Sequence, residues 1–308
     1  MRPALALLGY VAAVAWVLPP LLARLTGPGR SVRAGMAAWL GAMASAAASA
    51  AVALQFVIRA VVAGWPGLSE VVCRSVAGAA CTPVVYRSAL FELGLGTVAT
   101  AATLVVMLAA WRYGRRTQRA RQRTRAHAEA ARITGRALPG TPAVVLEDVR
   151  PAAYCVPGRP AVIVLTSAAL AVLDPEQLDA VISHERAHLA GRHHWLVTLT
   201  RGLAAAVPAV PLFDRGSAEV ARLAEMSADD AAVRDSGRTA LVSALLAIGT
   251  GTVVPRAALG VADYAVCARL QRLLAPAGPV RAAASCVTLA TLLALLVILP
   301  GAVIALAG

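Results

Sequence analysis

The residues best suited to chemistry in this chain are His184-Glu185-Arg186-Ala187-His188, two histidines four positions apart with a glutamate after the first. On an α-helix that spacing is slightly more than one turn. Both imidazoles then leave the same face and can share a tetrahedral zinc at Zn–N distances of ~2.0–2.1 Å. Glu185 lies beside such a metal rather than on it, where a carboxylate can take a proton from a water whose pKa zinc lowers to roughly 7. This is the core of a zinc hydrolase, with Zn2+ as cofactor, His184 and His188 as ligands and Glu185 as general base. Four of the five histidines of the chain (His184, His188, His193, His194) fall within eleven positions.

The motif needs a helix to hold it. Asp174-Pro175-Glu176 supplies an N-cap, a proline at the first helical position and an early acid, and Leu178, Val181 and Ile182 give an apolar stripe. A third ligand must come from elsewhere. Residues 217–234 predict a helix that carries Glu225 and Asp229 one turn apart. Glu225 would complete a His-His-Glu set with the fourth position left for water, and Asp229 could hold a ligand imidazole by its second nitrogen. His194 is a rival, because His184-Glu185-x-x-His188-x-x-Gly191-x-x-His194 also fits the longer metzincin pattern. That pattern requires a methionine in a tight turn, and Met226 lies within an Ala/Glu-rich helical run. Ser236-Gly237 ends this helix, and residues 239–248 and 262–274 predict two more. The apolar run Trp195–Phe213, interrupted by Pro208 and Pro211, reads as a buried or membrane-skimming helix.

With 59% hydrophobic and 15% charged residues over 308 positions, part of the chain must live in lipid. Residues 4–23, 36–58, 89–111 and 283–307 each approach the ~20 apolar residues that a spanning helix needs. All cationic side chains are arginines. Arg24, Arg30 and Arg33 follow the first span, and seven arginines from Arg112 to Arg125 follow the third. By the positive-inside rule both connections face the cytoplasm, and both termini and the connection near 60–88 lie outside. The expectation is therefore a mainly α, polytopic protein of the cell membrane. Residues 1–111 form a three-helix membrane domain, 112–282 a cytoplasmic α+β zinc domain, and 283–308 a fourth transmembrane helix.

The net charge of +13 is concentrated at residues 112–136. That density reads as an anchor beside anionic headgroups, at ~1 kcal/mol per charge, rather than as a nucleic-acid arm, so the lipid bilayer is a partner and nucleic acid is not. Cys73 and Cys81 fall in the expected outer loop, where a disulfide could persist. Cys155, Cys267 and Cys286 read as small buried apolar residues. Short β-rich runs at 143–147, 153–156 and 161–165, separated by Pro and Gly, predict a small sheet, and Thr166-Ser167 starts a short helix.

These residues together resemble a known group. Ala153-Tyr154-Cys155-Val156-Pro157-Gly158, Val162–Leu165, Leu173-Asp174-Pro175-Glu176-Gln177-Leu178, Ser183-His184-Glu185-x-x-His188 and Glu225-x-x-Ala-Asp229 are similar to the integral-membrane gluzincins. Two branches share the pattern: the BlaR/MecR-type antirepressor peptidases, and the HtpX and CaaX-protease group. The topology resembles the first. The resemblance implies zinc on His184, His188 and Glu225, Glu185 as base, and Val162, Ile163, Val164 and Leu165 as an edge strand to which a substrate peptide adds. It also implies regulatory cleavage of a cytoplasmic protein, such as a BlaI-like DNA-binding repressor or the chain itself. HtpX-like membrane quality control is the second enzyme reading, and a non-catalytic membrane sensor or scaffold is the third. Arg186 departs from the small or apolar residue usual after the glutamate. Because the chain ends at Gly308, just after the last span, no penicillin-binding sensor domain and no β-lactam recognition are expected.

Overall fold

The computed structural model describes residues 2–64, 89–141, 143–158, 160–251 and 262–307, so Cys73, Cys81 and most of the connection expected outside lie beyond the described residues. Among the described residues, three helices are long and apolar enough to cross a membrane: α1 (Arg2–Thr26), α2 (Val32–Gly64) and α10 (Pro279–Ala307). The expected span at 89–111 forms the first half of a longer helix, α3 (Ala89–Thr134), whose arginine-rich second half continues without a break. In α1, residues Ala13–Val17 are wound as a π-turn, with the Leu18 N–H reaching the Ala13 carbonyl. Pro19 and Pro20 follow. A proline brings no N–H and crowds the carbonyl four residues back, and a wider turn just before it accommodates both losses.

The apolar helices close on a fourth element from the polar half of the chain. Tyr10, Val14 and Leu22 of α1, Trp39 and Met43 of α2, and Leu289 and Leu296 of α10 share one core with Leu212, Phe213, Val220 and Leu223 of α7 (Pro211–Ser236). Tyr10, Ser45, Trp39 and Thr26 pair their polar groups there, as burial demands. Tyr10 Oη lies 2.7 Å from Ser45 Oγ, the Ser45 hydroxyl also donates to the Leu296 carbonyl, and Trp39 Nε1 donates to Thr26 Oγ1 at 3.2 Å. The run Trp195–Phe213 is not one helix. α6 (His193–Ala206) stops, the chain turns through 207–210 with Ala209 at a φ of +66°, and Pro211 starts α7. Pro208 and Pro211 each bias the preceding residue out of helical backbone, so the apolar stretch is divided between two helices, with Trp195 and Leu199 of α6 left exposed.

Four strands form one sheet in the order β1 (Arg136–Ala137), β2 (Ala143–Leu146), β4 (Val162–Thr166), β3 (Ala153–Val156). β2 and β4 are parallel, and β3 runs antiparallel to β4 with Ala153 opposite Leu165 and Val156 opposite Val162. Val162, Ile163, Val164 and Leu165 are therefore a central strand, not the edge strand expected from the sequence. All five residues of β4 are buried: Ile163 and Leu165 face Val181 and Ile182 of α5 (Pro175–Ala190), and Val162 and Val164 face Ala128 and Ala131 of α3. An unbroken Val-Ile-Val-Leu run, without polar alternation, is what a strand covered on both faces requires. The edge next to it is β3. After the short helix α4 (Ser167–Val172) and α5 through α7, two more helices, α8 (Arg238–Gly251) and α9 (Ala262–Leu274), lead into α10.

Candidate metal centre

α5 starts where its sequence says it should. Asp174 accepts a hydrogen bond from the Gln177 N–H at 2.8 Å, and the Gln177 side chain accepts one from the Asp174 N–H, a reciprocal capping box with Pro175 behind it. This fixes the helix phase, so that Val181 and Ile182 enter the core under the sheet while His184 and His188 turn toward α7. The two Nε2 atoms lie 3.1 Å apart. From α7, Glu225 places Oε2 3.6 Å from His184 Nε2 and Oε1 3.4 Å from His188 Nε2. One donor atom of each of the three residues falls within 4.8 Å of the others. Ligands on a tetrahedral divalent metal at ~2.0–2.1 Å stand roughly 3.3 Å apart, so two imidazoles and a carboxylate in this arrangement fit such an ion with one position to spare. His194 does not join the group; its ring lies against Trp195, with centroids 5.6 Å apart.

Each of the two imidazoles has a polar neighbour near its second nitrogen. Asp229, fully buried one turn beyond Glu225, brings Oδ1 to 3.1 Å from His184 Nδ1, at hydrogen-bonding distance though not in line with it. Burial alone would lower the His184 pKa, but Asp229 and Glu225 outweigh it and hold the imidazole up at about 9. Burial likewise opposes charge on Glu225, yet His184, His188 and Arg269 keep its carboxyl well below the usual range. For His188 the neighbour is the buried His193, with Nδ1 facing Nδ1 at 3.1 Å. Once His188 uses Nε2 as a metal ligand, its proton sits on Nδ1 and is donated to His193. Burial, with the neighbouring His188, lowers the His193 pKa to about 4, which leaves its ring neutral and able to accept.

Gly191 makes room for that ring. A Cβ there would fall 2.7 Å from His193 Cδ2 and closer still to Nε2. Gly191→Ala is therefore expected to turn His193 away from His188 and to weaken metal binding by roughly 10–100-fold, the usual effect of losing an imidazole's outer partner. Titration against a competing chelator measures this. His193→Ala should give a similar loss, and an unchanged affinity in both variants would show that His193 does not support the ligand.

Arg269, on α9, was not singled out by the sequence. Its Nε and Nη2 clasp the Asp229 carboxylate at 2.8 and 2.5 Å, and Nη1 lies 3.3 Å from Glu225 Oε2. A bidentate guanidinium thus fixes both acids of α7 relative to the imidazoles. Near the site, Arg186 and Arg192 are exposed, Arg192 with a φ of +49°, and Tyr154 lies on β3. Glu185 is buried beside Cys155 of β3, whose thiol pKa rises to about 12 through burial and the Glu185 charge. Cys155 therefore stays protonated, and its strand runs alongside the carboxylate. Cys267 and Cys286, expected to be buried, are exposed.

Residues 116–250 match the model of Peptidase family M48. The matched stretch runs from the arginine-rich half of α3 through the sheet, α5 and α7 to α8, and so contains all three converging donors. No curated protein and no solved structure matches the chain. The M48 peptidases are metal-dependent, so the match and the donor geometry agree on a metalloprotease. Arg269 and the helices α1, α2 and α10 lie outside the matched residues.

Proposed function

We propose that this chain is a membrane-anchored zinc endopeptidase that hydrolyses peptide bonds of a cytoplasmic protein. The observation that carries this reading is the meeting of His184, His188 and Glu225 within 4.8 Å, beside the buried Glu185 and a sheet edge. Zinc on these ligands supplies a Lewis acid for the scissile carbonyl and an acidified water. The protein does the rest. Glu185 takes the water's proton at its carboxylate and delivers it to the leaving amine nitrogen. Asp229 and His193 orient the ligand rings. The substrate pairs as an extended strand with β3 (Ala153–Val156) rather than with β4, because among the described residues β3 is bonded on one side only. Cys155, next to Glu185, marks the level on that strand where the scissile bond lies.

The arginines after α1 and in α3 support a cytoplasmic site with outward termini. Regulatory cleavage of a repressor, or of the chain itself, is the role that the BlaR/MecR-like topology expected from the sequence supports. One observation favours the HtpX-like alternative: Leu212 and Phe213 of the ligand-bearing α7 pack on Trp39 and Met43 of the apolar α2, which sets the site close to the bilayer and to membrane substrates. Cleavage of one repressor at one site supports the first role, and degradation of many misfolded membrane proteins supports the second.

Metal analysis of the purified chain tests the shared core. One zinc per chain is expected, with proteolysis lost on chelation and restored by zinc. A chain without stoichiometric metal, indifferent to chelation, would instead be a membrane scaffold.

A further inference from the structure

Away from the metal centre, four arginines line a cavity of about 470 Å³. Arg30, from the turn between α1 and α2, Arg238 at the start of α8, Arg272 of α9 and Arg281 of α10 all border it, together with a single carboxylate, Asp230. That carboxylate is already engaged: Arg272 Nη2 lies 2.7 Å from Asp230 Oδ1, while Arg272 Nε donates to the Gly29 carbonyl at 3.0 Å. The turn is built to stay there. Gly29 has a φ of +61°, and a Cβ on it would fall 2.7 Å from Met226 Sδ and 3.0 Å from Arg272 Cδ. Ser31 Oγ also donates to the Ala282 carbonyl of α10 at 2.7 Å. The side chains of Arg30, Arg238 and Arg281, by contrast, have no hydrogen bond or ion pair among the described residues.

A second cavity of about 270 Å³ shares Arg30 and Arg281 with the first. It continues between Leu25, near the end of α1, and the small residues Ala284, Ser285 and Thr288 of α10. Both helices are long and apolar enough to cross a membrane. The arginines thus stand where two such helices meet the polar half of the protein, and the groove below them runs along the apolar helices.

We propose that these joined cavities bind the phosphate group of an anionic phospholipid, with Arg30 and Arg281 as its principal contacts and the groove along α10 taking the start of an acyl chain. Guanidinium groups pair with phosphate oxygens through two parallel N–H donors, and three of them without a counter-charge in one concavity leave a site for a multiply bonded anion. The same chemistry would hold a soluble phosphate; the groove favours the lipid.

The test uses the full chain in neutral detergent and measures saturable binding of phosphatidylglycerol, with phosphatidylcholine and inorganic phosphate as separate arms. Each cationic side chain near an anionic headgroup contributes roughly fivefold, so the R30Q/R281Q variant should bind phosphatidylglycerol about thirtyfold more weakly. Both residues are exposed, and without lipid its melting temperature should equal that of the wild type. The R30K/R281K pair, which keeps the charge, should retain most of the binding. R150Q/R186Q removes equal charge from exposed positions away from the cavities and from the arginine-rich half of α3, and should change binding by no more than about twofold, since screening confines charge effects to their neighbourhood. Protection by inorganic phosphate at the same concentration, lost in R30Q/R281Q, would support the phosphate pocket and assign it a soluble source. Equal losses in R30Q/R281Q and R150Q/R186Q, no loss in R30Q/R281Q, or equal binding of phosphatidylcholine would overturn the proposal.

Discussion

Glu185→Gln is expected to lower peptide hydrolysis by about 10²–10⁴-fold while leaving one metal per chain, because a carboxamide of the same shape can neither take nor return the proton. Glu185 is buried next to Cys155 and is not one of the three converging donors, so its loss should leave the ligand atoms in place. Activity on a substrate peptide and metal content, measured on the same preparation, separate the two effects. Loss of metal along with activity would make Glu185 part of the coordination, and unchanged hydrolysis would remove it from the chemistry.

Arg269→Met should have the largest effect on the integrity of the site. Asp229 has no exposed surface, and Arg269 supplies two of the bonds that make its charge tolerable there. Breaking a buried ion pair from one side costs about 3–5 kcal/mol, since the remaining charge is stranded. A lower melting temperature of the detergent-solubilised protein is expected, together with metal binding weakened by roughly 10–100-fold as Asp229 and Glu225 lose their anchor. Adding Asp229→Asn to Arg269→Met removes the stranded charge and should recover part of the stability but not the metal affinity. If Arg269→Met alone left both quantities unchanged, the clasp would contribute nothing to holding the acids.

How much of this could be read along the chain differs from residue to residue. The approach of His184 and His188 is local, because four positions on a helix bring two side chains together whatever surrounds them. The capping box before Pro175 is local for the same reason. Glu225 and Asp229 were visible as a pair one turn apart, but nothing in a helix of alanines and acids says what it faces. Arg269 is one of many arginines and sits in no pattern that sets it apart. His193 could have been found from Gly191, the residue that leaves space for its ring.

By itself the sequence determined the apolar helices, the start and phase of α5, and the chemical character of its histidine pair. These depend on composition and on contacts a few residues apart. The tertiary structure decided which strand is the edge, because sheet order depends on pairings between distant segments: β4 is flanked by β2 and β3, and β3 is left open beside Glu185. It also decided that α7 and α9 meet at Asp229, that His193 lies against His188, and that the turn after α1 reaches the start of α10. Each of these joins segments whose separation along the chain carries no signal, and only the packing of one helix on another brings their side chains within bonding distance.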